Sequence, residues 1–389
     1  MSLKTWLTPH VMQFLLDPAR ELKRRAAVER KRQRSGEPHT VHYFHQADDP
    51  YSQLLAQVLP QLQARYAIRI VVHHVSPPAD SAAPDRPRLQ AYSLRDAQLL
   101  AAHYVLDWHA ATQAAAPAAT DPNERRAQAD ALRTRWGHYL GATLYYGGEW
   151  YWGIDRLHHL EARLQALGAA LPGVQGPLFP PGADLTAPVP VANPPAIDFF
   201  FSLRSPYSAI VCERVFRLGA LTGAKVNLRF VLPMVMRGLP VPREKRLYIV
   251  RDTAREARLR GIPFGRMNDP VGRPTERGLA LMPLAIAQGK GEAYVASFMR
   301  GVWAEGLDAG TDDALFSIAG RAGLMRAECQ NALQDPAWRT QAEANRAEMM
   351  DLGLWGVPSF RAGATSVWGQ DRLWAVQEAV LGSTSVHRA

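Results

Sequence analysis

Ile197-Asp198-Phe199-Phe200-Phe201 runs through Ser202-Leu203-Arg204 into Ser205-Pro206-Tyr207-Ser208, and the apolar-periodic run Ala209–Leu221 follows. A short stretch of aromatic and β-branched residues, interrupted only by Asp198, predicts a strand. The Ser-Pro step then predicts a helix start, because serine caps the first amides and proline suits the first helical position. The same succession occurs earlier: Val41-His42-Tyr43-Phe44-His45, then Asp49-Pro50-Tyr51-Ser52, then the helical run Gln53–Tyr66. The far ends also agree. Trp152-Gly153-Ile154-Asp155-Arg156-Leu157 answers Trp368-Gly369-Gln370-Asp371-Arg372-Leu373, each followed by a helical run. Matches in one order at both ends of two segments predict an internal duplication. Each copy reads as strand–helix–strand, helical insertion, strand and final helix, an α/β arrangement.

Between the copies, residues 172–195 hold eight prolines, which exclude a helix or an interior strand and predict an extended linker. The second strands fall at Ile68–Val75 and Lys225–Phe230, and the longer insertion of the second copy, residues 243–260 and 275–350, has helical spacing. The chain therefore divides into an arm (1–36), a first domain (37–171), the linker (172–195) and a second domain (196–382).

Composition narrows the function classes. Of the formal charge of +9 over 389 residues, six charges sit in residues 1–36, where nine Lys/Arg face three Asp/Glu. The rest of the chain is nearly neutral, which argues against nucleic acid as a partner. Val11, Phe14, Leu15 and Leu16 precede the basic run. That arrangement fits a helix packed on the body with a solvated charged face, or an interfacial helix making peripheral contact with anionic lipid. No apolar run reaches the ~18–20 residues of a membrane span. Two cysteines, Cys212 and Cys329, make neither a disulfide framework nor a CxxC pair, and fit a reducing, cytoplasmic compartment.

Three turns offer chemistry. At Ser205 the unpaired amides and positive dipole of a helix start favour a thiolate or other anion, to which the hydroxyl can donate; an ordinary capping serine is the alternative. Gly356-Val357-Pro358 marks a turn before a short strand, with the Val357–Pro358 bond open to the cis or trans form. Gly369-Gln370-Asp371-Arg372 sets a carboxylate and a guanidinium near the last helix, where they could pair with an ammonium or a carboxylate, or serve as cap and surface arginine. His42, His45, His73 and His74 alternate on strands with no carboxylate in sequence view. They are expected to face solvent or cap the sheet, and no metal site is expected.

In this order, the motifs make the second half similar to the thioredoxin-fold family of kappa-class glutathione transferases and 2-hydroxychromene-2-carboxylate isomerases, relatives of the DsbA-type oxidoreductases. The carriers are Asp198–Ser208, Lys245-x-x-Tyr248-x-x-x-Asp252-x-x-Arg255-x-Ala257, Gly261-Ile262-Pro263-Phe264, Arg273-Pro274-Thr275, Phe298 with Trp303-Ala304-Glu305-Gly306, Gly356-Val357-Pro358 and Trp368–Arg372. The resemblance implies two thioredoxin-like domains, each with a helical insertion, the second of the DsbA/kappa type. It also implies glutathione as cofactor, with Ser205 bonding its sulfur and Pro206 and Tyr207 beside it. Val357, before the family's cis-proline Pro358, would pair with the cysteinyl backbone. Gln370 and Asp371 would hold the γ-glutamyl end, and Lys245 and Asp252 would lie near the tripeptide. The implied reaction is isomerisation or conjugation of a small unsaturated or aromatic electrophile by thiolate addition, bond rotation and elimination.

Two departures stand out. Where the family has an asparagine, this chain reads Arg237-Gly238-Leu239-Pro240-Val241-Pro242. In the first copy, Asp49 replaces the serine and would repel a thiolate, while alignment on Trp152-Gly153 puts Ala142 where Pro358 stands, so this copy is expected to be degenerate. Its presence allows a monomeric pseudo-dimer as well as a homodimer. A second function class is an inert tandem module that binds a peptide, lipid or protein partner. Thiol–disulfide exchange lacks a cysteine at either turn, and Cys212, two turns into its helix, reads as a buried thiol.

Overall fold

The computed structural model describes residues 3–113, 115–121 and 124–382. Its eight strands are β1 (His39–His45), β2 (Ile68–His74), β3 (Thr143–Tyr146), β4 (Glu149–Trp152), β5 (Ile197–Phe201), β6 (Val226–Phe230), β7 (Ser359–Ala362) and β8 (Thr365–Trp368). They form two four-stranded sheets, ordered β2-β1-β3-β4 and β6-β5-β7-β8. In both, the opening strand pairs in parallel with the second and antiparallel with the third, and a hairpin adds the fourth. The parallel pair needs a crossover, which the helices Pro50–Arg65 and Pro206–Thr222 supply. Both halves are thioredoxin-like α/β units, as the resemblance implied.

The chain divides into two compact units. One contains the second sheet and comprises Met1–Arg20, Gly182–Pro240 and Ile249–Ala389; the other contains the first sheet and comprises Glu21–Pro181 with Val241–Tyr248. The helix Arg243–Leu259 therefore begins in the first-sheet unit and ends in the second-sheet unit.

In the second-sheet unit, β5 lies between β6 and β7 and is buried along its whole length. Phe199 stacks on Phe360 at 5.3 Å and on Phe201 at 5.0 Å. The one charge on the strand, Asp198, accepts from Arg361 Nε at 2.7 Å, Arg229 Nε at 3.1 Å and Asn227 Nδ2 at 3.1 Å, which satisfies a buried carboxylate. The proline-rich segment is extended but held: the amides of Val189 and Val191 donate to Leu221 O and Thr222 O at 2.8 and 3.0 Å. The helix Leu3–Leu15 joins this unit, with Pro9 occupying space that Gly306, at φ +73°, leaves open.

The helix Pro18–Ser35, which enters the first-sheet unit at Glu21, buries no residue, and its Arg25 forms a fork on Glu149, with both hydrogen bonds at 2.8 Å. The histidines depart from expectation. His45, on the interior strand β1, is buried at 2% exposure, and His73, on the edge strand β2, is buried at 6% against Phe44 and His42 instead of facing solvent. His73 has a carboxylate partner after all: Nδ1 lies 2.9 Å from Glu124 Oε2, and its Nε2 lies 2.9 Å from His42 Nδ1. Burial, reinforced by a neighbouring ring, lowers the pKa of His42 and of His45 to about 4.

Candidate functional site

The candidate site in the second-sheet unit is built on the first turn of the helix Pro206–Thr222. Ser205 is its cap, in extended conformation at φ −91° and ψ 114°, and its Oγ accepts from Ser208 N at 3.1 Å. That bond uses one lone pair and leaves the hydroxyl proton, which points to Val357 O at 3.4 Å. Ser205 and the Val357 turn are thus brought together, and the Val357–Pro358 bond is cis. Val357 is half-buried, and its amide finds no acceptor among the described residues. Pro358 is buried, and its carbonyl accepts from Gly369 N at 2.9 Å, which ties the Val357 turn to the Gly369–Arg372 turn. Gly369 has φ +115°, and a Cβ there would collide with the Asp371 carboxylate, so this turn requires glycine. Asp371 is partly exposed, with its Oδ1 at 3.4 Å from Arg372 Nη1.

The other expected contacts are engaged within the protein. Tyr207 donates through its hydroxyl to Asp252 Oδ2 at 2.7 Å, and Arg255 Nη2 donates to Asp252 Oδ1 at 2.5 Å. Asp252 is therefore a buried carboxylate that joins the capped turn to the helix Arg243–Leu259. Gln370, 1% exposed, donates to Glu256 Oε2 at 2.8 Å and accepts from Arg214 Nη1 at 3.0 Å. Lys245 belongs to the first-sheet unit, where its buried ammonium donates to Ala82 O at 2.7 Å. Burial lowers its pKa to about 8. Cys212 is buried as expected, and desolvation pushes its thiol up to about 12, out of reach of thiolate chemistry at neutral pH.

The first-sheet unit repeats this construction with different groups. Asp49 caps the helix Pro50–Arg65 by accepting from Ser52 N at 3.0 Å and from Ser52 Oγ at 2.7 Å. Burial raises its pKa to about 6. Ala142 occupies the place of Pro358, since its carbonyl accepts from Gly153 N at 2.8 Å. Its own amide donates to Ser52 Oγ at 2.8 Å. Tyr51 donates to Asp96 Oδ2 at 2.7 Å and Tyr92 to Asp96 Oδ1 at 3.0 Å, so the tyrosine–aspartate link of the other unit recurs. Sequence reasoning missed this second link. Its signal was present: Tyr92-x-x-x-Asp96 has the spacing of Tyr248-x-x-x-Asp252.

Residues 196–381 match the model of the DSBA-like thioredoxin domain, so the C-terminal half has a DsbA-like thioredoxin fold. The 2-hydroxychromene-2-carboxylate isomerase of Pseudomonas putida is 23% identical over 192 residues, covering 47% of this chain and 93% of that protein. The isomerase of the same name from Pseudomonas sp. (strain C18) is 23% identical over 195 residues, covering 48% of this chain and 91% of that protein. A solved structure of a 2-hydroxychromene-2-carboxylate isomerase is 24% identical, with a TM-score of 0.41, over 47% of this chain and 93% of its own. No helix among the described residues is long and apolar enough to cross a membrane.

Proposed function

We propose that the C-terminal half carries a thiol-dependent isomerase or transferase that uses glutathione and acts on a small unsaturated or aromatic electrophile. The observation that supports it most is the meeting of Ser205, at a helix N-terminus, with the Val357 turn. A 3.4 Å contact is long for an O–H donor, so turning the hydroxyl towards a nearer sulfur would cost little. The amides and dipole of the first helical turn add positive potential at the same point. The unpartnered Val357 amide offers the edge that a peptide backbone would extend as an added strand.

These groups fit the cysteinyl part of glutathione, and Asp371 fits the ammonium of its γ-glutamyl end. Gln370, Lys245 and Asp252 are already committed to Arg214 and Glu256, to Ala82, and to Tyr207 and Arg255. Gln370 and Asp252 set the frame, while Ser205, Val357 and Asp371 make the contacts. When bound, glutathione supplies a thiol that adds reversibly to an activated double bond or displaces a leaving group. The task of Ser205 is to hold that thiol deprotonated near neutral pH. The first-sheet unit is a degenerate duplicate in this reading, with Asp49 opposing a thiolate where Ser205 favours one.

Calorimetric titration with glutathione tests this in the full chain. Wild type is expected to bind in the micromolar-to-millimolar range and Asp371→Ala at least ~10-fold more weakly. Ser205→Ala is expected to raise the pKa of the bound thiol, read by thiolate absorbance in the ultraviolet. No binding by wild type would remove glutathione and leave a tandem binding module.

A further inference from the structure

The second-sheet unit holds a cavity of about 410 Å³, a volume suited to a small organic ligand. The helices Pro206–Thr222 and Gly291–Trp303, the start of Leu373–Leu381 and the turn Gly261–Pro263 enclose it, and neither Ser205 nor Val357 is among its walls. Four arginines line it, Arg214, Arg217, Arg260 and Arg300, against two carboxylates, Asp184 and Glu213. Arg214 is spent as a fork on Asp184, both bonds 2.7 Å, and Arg300 reaches Glu305 at 3.2 Å. Glu213 is exposed.

Arg217 and Arg260 are different. Arg217 donates to a single carbonyl, Thr186 O at 3.2 Å, and Arg260 to Gly182 O at 3.5 Å. Among the described residues neither forms an ion pair, and the buried Nε of Arg260 has no acceptor. A buried guanidinium donor without an acceptor costs about 1–3 kcal/mol and calls for an explanation. Desolvation and the neighbouring Arg214 depress its pKa, and the nearby carboxylates of Glu256, Asp184 and Asp371 offset this only in part, none of them forming an ion pair with it among the described residues. Beside it the wall is apolar, through Ile210, Ile262 and Met299.

We propose that this cavity binds a small oxyanion on an apolar body, with the carboxylate or phosphate taken by Arg260 and Arg217 and the body lying on Ile210, Ile262 and Met299. Guanidinium forks suit both headgroups, and the apolar wall sets aside bare inorganic ions. The site stands independently of the glutathione reading.

The test is calorimetry on the full chain with three probes that share one ring system: 2-naphthoate, 2-naphthyl phosphate and the neutral 2-naphthamide. At least one anion is expected to bind at sub-millimolar concentration, with the amide at least ~10-fold weaker; the tighter anion identifies the headgroup. Arg260→Gln is expected to weaken that anion ~10-fold or more, and Ser205→Ala to leave it unchanged. If Arg260→Gln does not fold, the exposed Arg217→Gln and the cavity-filling Ile262→Trp take its place, each expected to weaken binding. Absence of anion binding at millimolar concentration would overturn the proposal. So would equal binding of the amide, loss of binding in Ser205→Ala, or binding indifferent to the arginine and Ile262 variants.

Discussion

The amide of Ala142 donates to Ser52 Oγ, which also accepts from Gln46 N at 3.2 Å and donates to Asp49. At the matching place in the other unit Pro358 has no amide to give, and the hydroxyl of Ser208 is buried without a partner among the described residues. The two serines align in the sequence but differ in worth. Ser52→Ala is expected to cost about 1–3 kcal/mol by orphaning the Ala142 amide, and Ser208→Ala to be neutral or slightly stabilising, both read from urea midpoints. Asp49 gives a pH signature. Its folded-state pKa is raised to about 6, above the unfolded value near 3.9, so its contribution is complete below that lower value and is lost as pH rises through 6. Wild type should therefore lose up to about 3 kcal/mol relative to Asp49→Asn between pH 4 and pH 7. A flat difference would show that the carboxyl titrates normally. The Ser-Pro-Tyr-Ser and Asp-Pro-Tyr-Ser turns were legible because capping is local. The Ser52–Ala142 bond joins residues 90 apart, and His73–Glu124 joins residues 51 apart, which no short motif can display.

Each capped helix is tied to the next helical layer by one tyrosine–aspartate link, and both links span 45 residues. Equal spacing at equal places supports the repeat more strongly than the similarity of its ends. Tyr207→Phe removes one donor from the buried Asp252, which keeps Arg255, and about 1–3 kcal/mol of stability should go with the hydroxyl. Tyr51→Phe should cost a similar amount, since Tyr92 still donates to Asp96 as Arg255 does to Asp252. Thermal unfolding of the two variants checks this; clearly unequal losses would mean that the links are not equivalent. Three strands of each copy and the helix starts could be read from β-branched runs, capping residues and Trp-Gly turns, whereas the fourth strand, added by each hairpin, and the sheet order could not. The engagement of Gln370 could not, because Arg214 and Glu256 reach it across 156 and 114 residues.

At the scale of the whole molecule, Val241–Tyr248 matters most. The resemblance assigned Lys245 to the neighbourhood of the tripeptide, whereas the fold places this stretch in the first-sheet unit. Tyr248 is buried there in a cluster with Phe44, Val75, Ala129 and Trp150, its ring 4.5 Å from that of His138. Tyr248→Ala should cost about 3–5 kcal/mol. The loss should appear as faster amide exchange in β1–β4 and leave β5–β8 nearly unchanged; the opposite pattern would reassign the segment. The division also sets a schedule for synthesis. Pro181 leaves the ribosome 60 residues before Val241, which at ~5–20 residues per second is a wait of roughly 3–12 s. During that interval the nascent first-sheet unit keeps an aromatic cluster short of one ring, open to a chaperone or to the same gap in a neighbouring nascent chain.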